Sequence, residues 1–172
     1  MNRDIFIIEI KARANSHEKA RLVLQQHEAR FSGVDHQIDT YFIARNGRLK
    51  LREGNIECSL IAYERVETDR LKESSVVLYK PADPSTLKRA LASSIGVRGT
   101  VDKMREIFFV GNIKFHLDDV KGVGRFIEIE AISEGGVPGR EVLEKQVDDF
   151  MKLMEITDSD LVRESYVDLA GL

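Results

Sequence analysis

The chain carries one cysteine, three prolines and no tryptophan in 172 residues. A lone thiol, Cys58, leaves no intramolecular disulfide, and a reducing compartment fits. Long hydrophobic runs are missing as well: near the start, Ile5–Ile8 gives four apolar residues before Glu9 interrupts them. That is too short for a signal peptide or a membrane span, so a cytoplasmic address without a membrane partner is expected. Neither sign of charge is in great excess. A formal net charge of −3 argues against a protein that coats nucleic acid electrostatically, and no nucleic-acid partner is expected. There is no low-complexity tract, internal repeat or evident linker, and no Walker loop, zinc-ligand spacing or Ser-His-Asp set. What is present is 42% apolar and 32% charged residues. This is the composition of a globular chain, most simply one domain over residues 1–172 with a sizeable core.

Alternation dominates the pattern. Residues 4–14 place Phe6, Ile8, Ile10 and Ala12 on one face and Ile5, Ile7, Glu9, Lys11 and Arg13 on the other. Asn15 and Glu18 read as a capping box opening a helix with Ala20, Val23, Leu24 and His27 on one side. Strands are expected at about 37–45, 47–53, 57–66 and 75–80, with Asn46-Gly47 as a hairpin turn. The polar stretch from Glu67 to Ser74 reads as a loop, from which Lys72 could reach an anion. Pro84-Ser85 starts a helix that Gly96 ends. A hairpin over 100–120 turns at Gly111-Asn112, and a strand follows at 125–132. A helix runs from Gly139 to Met154 on the pattern Val142, Leu143, Gln146, Val147, Phe150, Met151, Met154. Thr157 with Asp160 caps one further turn. The sum is an α+β fold of about eight antiparallel strands, which can close into a barrel with the helices packed outside.

The charged strand faces hold Glu9 and Lys11; Arg48, Lys50 and Arg52; Tyr63 and Arg65; Lys103 and Arg105; Lys114, His116 and Asp118; and Glu128 and Glu130. For any one strand, a wet outer face is the plain explanation. Across six strands, however, acids and bases sit apart, and exposed ion pairs contribute only about 0–1 kcal/mol. An enclosed site for a metal-bound polyphosphate uses this mixture: carboxylates hold Mg²⁺ or Mn²⁺ through oxygen, and Lys and Arg neutralise phosphate. His116 shares a face with Lys114 and Asp118, where either a proton-transfer role or a structural hydrogen bond fits.

Several segments also resemble a known family. Glu9-x-Lys11 resembles the end of the ExExK motif of the CYTH superfamily, the triphosphate tunnel metalloenzymes. Leu49-Lys50-Leu51-Arg52 and Lys103-Met104-Arg105 resemble its basic strands, and Leu117-Asp118 through Glu128-Ile129-Glu130 resembles its late acidic segment. Ser165-Tyr166 is a C-terminal echo. The resemblance implies an eight-stranded antiparallel tunnel in which Lys11, Lys50, Arg52, Arg65, Lys103 and Arg105 bind a triphosphate-containing small molecule. It also implies Mg²⁺ or Mn²⁺ on Glu9, Glu128 and Glu130, with Asp118 as a further ligand or a group behind them, and catalysis by Glu9, Lys11, Arg52 and Glu130. Class IV adenylyl cyclases and triphosphatases are the activities implied, and a homodimer is compatible. One position departs from the pattern: Ile7 stands where the motif begins with glutamate. A non-catalytic polyphosphate- or nucleotide-binding module is therefore the alternative.

Overall fold

A computed structural model describes residues 5–67 and 71–172, with residues 65–67 described by backbone alone. Eight strands close into one antiparallel barrel in the order β1-β5-β4-β3-β2-β6-β7-β8. They are β1 (Ile5–Arg13), β2 (Arg30–Phe42), β3 (Arg48–Gly54), β4 (Cys58–Glu67), β5 (Lys72–Tyr79), β6 (Val97–Val110), β7 (Ile113–Val120) and β8 (Gly124–Glu134). Helices α1 (Glu18–Gln26), α2 (Pro84–Ile95), α3 (Arg140–Leu153) and α4 (Tyr166–Leu169) connect or follow them, with a 3-10 turn at Asp158–Asp160. No described helix is long and apolar enough to cross a membrane.

The barrel is inverted in polarity. Its main apolar core lies outside the wall, where Ile8, Ile10, Phe115, Leu117, Ile127 and Ile129 meet Ala20, Val23 and Leu24 of α1 and Leu143, Val147 and Met151 of α3. The opposite parity, which carries the ionisable residues, faces the lumen. A second cluster closes one end: Tyr41, Val101, Val120 and Phe126 pack against Val162, Tyr166 and Val167 from the C-terminal segment.

Three local expectations change. The residues from Lys72 to Ser74 form the start of β5 rather than a loop, paired with β1 through Glu9 and Lys72. Lys72 is buried and its ammonium donates to the Val162 carbonyl at 2.7 Å, so it does not swing over an opening. Thr68, Asp69 and Arg70 of the same expected loop lie outside the described residues. Strand β2 begins seven residues earlier than its hydrophobic pattern suggests, at Arg30 rather than 37: its two early apolar residues, Phe31 and Val34, stand three apart in sequence and both are about half exposed, so no alternation marks the segment. The Asn15 capping box does not form; instead the Ser16 hydroxyl accepts the Glu18 N–H at 3.1 Å. The predicted Thr157–Asp160 cap is present.

Because α3 seals the outer core, Leu143→Ala, at a side chain with no exposed surface, is expected to cost about 2–5 kcal/mol of unfolding free energy in a urea titration. An unchanged midpoint would show that α3 is not docked on the barrel.

Candidate active site

The lumen is organised around a buried acid on β2. Asp39 has no exposed surface. Its carboxylate accepts from Arg52 Nε and Nη2 at 2.9 and 3.0 Å, from Lys50 Nζ at 3.0 Å and from Lys103 Nζ at 2.7 Å. Burial alone would raise its pKa. The charges of Arg52, Lys103 and Lys50 outweigh burial and hold the carboxyl well below the usual range. The same crowding acts oppositely on Lys103. Burial, with the nearby Arg52 and Arg105 charges, overrides the attraction of Asp39 and depresses its pKa to about 7.

A second buried pair stands on β6 and β7. Arg105 Nε donates to Asp118 at 2.6 Å, and one Arg105 Nη bridges Asp118 and Glu128, the latter at 2.6 Å. The Tyr166 hydroxyl donates to Asp118 at 2.7 Å. Both Asp118 oxygens are thus committed to fixing Arg105 and the C-terminal plug. At the Glu128 carboxyl, burial would favour the neutral acid, but Arg105, His116 and Lys11 together keep it ionised.

The acidic wall lies on β1 and β8. Glu9 and Glu130 are direct cross-strand partners, as are Lys11 and Glu128. Like charges opposite each other are unfavourable unless a cation lies near. Lys11 Nζ donates to the Glu164 carbonyl at 3.0 Å, stands 3.7 Å from Glu128, and lies 4.0 Å over the Tyr166 ring. From β7, His116 Nδ1 is 3.2 Å from Glu128 and 3.4 Å from Glu130. Burial, reinforced by Arg105 and Lys114, lowers the His116 pKa and favours the neutral ring. Ligating atoms of His116, Glu128 and Glu130 all lie within 4.8 Å of one another. This oxygen-rich set suits a hard divalent cation, with one imidazole nitrogen beside it.

Glu9, Lys11, Lys50, Arg52, Arg105, Glu128 and Glu130 all line one cavity of about 570 Å³. Every one of them belonged to the residues expected from the sequence. Lys103 and Asp118 sit behind this lining, fully buried, and act on it through Asp39 and Arg105. The Arg65 side chain falls outside the described atoms; its backbone pairs with Ser74 on β5. Residues not anticipated are Asp39, Asp35 and Glu57. Glu57 accepts from Lys114 and, at 3.1 Å, from Arg52. A signal was available on β2, where Asp35, Gln37, Asp39 and Tyr41 alternate beside the basic strand β3.

A closed antiparallel barrel whose cations and carboxylates face one lumen, with one end plugged, describes the site. Comparison with known proteins gives its lineage. Residues 7–166 match the CYTH domain, and the chain belongs to that family. A protein of Methanocaldococcus jannaschii named "putative adenylate cyclase" is 26% identical over 176 residues, spanning 96% of this chain and 98% of its own. A solved structure from Pyrococcus horikoshii superposes with a TM-score of 0.83 at 25% identity, covering 95% of this chain and 98% of that one. A Hippeastrum protein named for adenylyl cyclase and described as having a dominant triphosphatase activity shares the fold, with a TM-score of 0.66 at 16% identity over 96% and 95% of the two chains.

The electrostatics of Lys103 predict a pH signature. Its folded pKa, about 7, lies below the unfolded value of about 10.4. Between these values the unfolded chain binds a proton that the folded chain does not. Stability from this group therefore rises with pH across the window. Asp39 is ionised throughout, so its loss of a partner cancels on comparing two pH values. The stability of Lys103→Met relative to wild type is expected to be greater at pH 7 than at pH 9 by roughly 2 kcal/mol, read from urea midpoints. Equal differences at both pH values would mean that Lys103 is not depressed.

Proposed function

We propose that this protein carries out metal-dependent processing of a triphosphate-containing small molecule within the tunnel, as a triphosphate phosphohydrolase or an adenylyl cyclase-like lyase. One observation carries the reading. Lys11, Lys50, Arg52, Arg105 and Lys114 share a single cavity with Glu9, Glu128 and Glu130. With Lys80, Glu57 and Glu134 also in the lining, six cations face five carboxylates; a divalent cation on the carboxylate wall would free the cations for an anion, and membership of the CYTH family supports a triphosphate as that anion.

The residues divide the work by wall. Arg52 and Arg105, each fixed by a buried acid, present pre-oriented guanidinium groups to phosphate oxygens, where charge spreads as a phosphoanhydride bond breaks. Lys50, held on Asp39, and Lys114, held on Glu57, supply compact point charges across the lumen. Glu9, Glu128 and Glu130 would hold Mg²⁺ or Mn²⁺, which when bound polarises phosphate oxygens and lowers the pKa of bound water. The neutral His116 ring, with Nδ1 3.2 Å from Glu128, can donate to that carboxylate and orient it. Asp118 contributes by fixing Arg105, which leaves the cation to the three glutamates.

Hydrolysis and cyclisation differ in the atom attacked, the terminal phosphorus by water or the α-phosphorus by a ribose hydroxyl. Cyclisation also requires polar groups that read a base. Away from the charged residues the lumen is lined by Ile5, Ile7, Ile61, Val76, Leu78 and Ile132, with hydroxyl groups from Ser59, Tyr63 and Ser74 among them; a lining so largely aliphatic favours hydrolysis. The name of the Methanocaldococcus relative supports cyclase activity. A second reading, a module that binds without turnover, rests on Ile7: the wall lacks a carboxylate there, which argues against a two-metal site.

Purified protein with Mg²⁺ or Mn²⁺ is expected to release phosphate or pyrophosphate from an organic triphosphate. EDTA should abolish turnover, and Glu130→Gln should lower kcat by at least about 100-fold with unchanged circular dichroism. Tripolyphosphate binding by calorimetry without any turnover would establish the binding module. Absence of both would refute the anion site.

A further inference from the structure

The tunnel changes character one residue layer beyond its carboxylates. On β1 the inward series runs Ile5, Ile7, Glu9, Lys11, and on β8 it runs Glu134, Ile132, Glu130, Glu128. Ile7 pairs with Ile132 directly next to the Glu9–Glu130 pair. The apolar surface continues around the wall: Ile5 pairs with Val76 on β5, and Leu78 pairs with Ile61 on β4. Six aliphatic side chains on four adjacent strands therefore line one side of the same cavity that Arg52, Arg105 and Lys114 line from the other, with Ser74 beside Ile7 and Tyr63 beside Val76 as the polar members of that side.

These residues are not consumed by the fold. None of the six belongs to either apolar cluster, and Leu78 is 48% exposed. Inward-facing aliphatics along an aqueous tunnel hold apolar area out of any core, and that area is stabilising only when something covers it. A bare inorganic polyphosphate could not do so, because it is anionic along its whole length. The covering group must be attached to an anion held at Arg52 and Arg105, since both surfaces border one cavity.

We infer that the ligand of this tunnel is an organic phosphoanhydride whose non-phosphate end is a hydrocarbon-like group, seated against Ile5, Ile7, Ile61, Val76, Leu78 and Ile132. The inference rests on the anion-site reading above and specifies its substrate class. It also gives Ile7 a function: where a carboxylate would extend the charged layer, isoleucine extends the apolar one.

The test uses ligands with identical phosphate chains and different ends. Calorimetry on the full chain with Mg²⁺ compares n-hexyl triphosphate, methyl triphosphate, ATP and inorganic tripolyphosphate. The hexyl compound is expected to bind at least about tenfold tighter than the methyl compound or tripolyphosphate. In Ile7→Thr/Ile132→Thr, which keeps β-branched side chains on both strands, that preference should shrink to about threefold or less while tripolyphosphate affinity holds. Equal affinity of hexyl and methyl triphosphates, or tighter binding of ATP than of the hexyl compound, would overturn the inference while leaving the anion site standing. Failure of wild type to bind any of the four would overturn both. A preference that survives the double substitution would place the hydrocarbon elsewhere and refute the assignment to this wall.

Discussion

The tunnel depends on Asp39. Four nitrogen atoms from Arg52, Lys50 and Lys103 converge on its two oxygens. Without that acid the three cations would repel one another in a poorly solvated space. With it, they form a rigid array whose charge is only partly neutralised. Removing one partner from such a buried network costs about 3–5 kcal/mol, because an uncompensated charge is left behind. Arg105 with Asp118 repeats the device on the neighbouring strands. Each acid is fully enclosed, and each fixes a guanidinium group that reaches the cavity.

This arrangement requires the barrel to be inverted. The apolar face of β1, β7 and β8 turns outward and is covered by α1 and α3, and the lumen receives the ionisable parity. One end is then closed by Val162, Tyr166 and Val167, with the Tyr166 hydroxyl tying the plug to Asp118. Stability and site chemistry are thus divided between the two sides of a single wall. The charged interior owes its position to the core outside it, and the residues that line the cavity are largely not those that hold the barrel closed.

How much of this could be read beforehand follows from the same division. Wherever one strand face is apolar and the other ionised, parity is unambiguous, and it puts Glu9, Lys11, Lys50, Arg52, Arg105, Glu128 and Glu130 on the face that lines the cavity. Where both faces are polar, alternation carries no signal. The start of β5 is such a stretch, and Asp35 precedes the expected start of β2 at 37; Asp39 falls inside the expected strand, but as a lone acid among polar neighbours its parity does not mark it as the partner of three cations. Glu57 precedes its strand and could not be assigned a face. Lys103 and Arg105 are equivalent in pattern, yet only Arg105 reaches the cavity; the distinction arises from depth in the barrel and from Asp39 capturing the lysine, which a periodicity cannot encode. The CYTH resemblance supplied the chemistry of the site, while strand pairing supplied its layers, and the step from Glu9–Glu130 to Ile7–Ile132 became visible only through the latter.

On the proposed function, this lumen holds a phosphate chain beside a divalent cation. A crystal structure of the protein grown with tripolyphosphate and Mn²⁺ tests it most directly. Phosphate density is expected against Arg52, Arg105 and Lys50, with an anomalous manganese peak at Glu9, Glu128 and Glu130. Phosphate bound only on the outer surface, with no anomalous peak in the lumen, would contradict it.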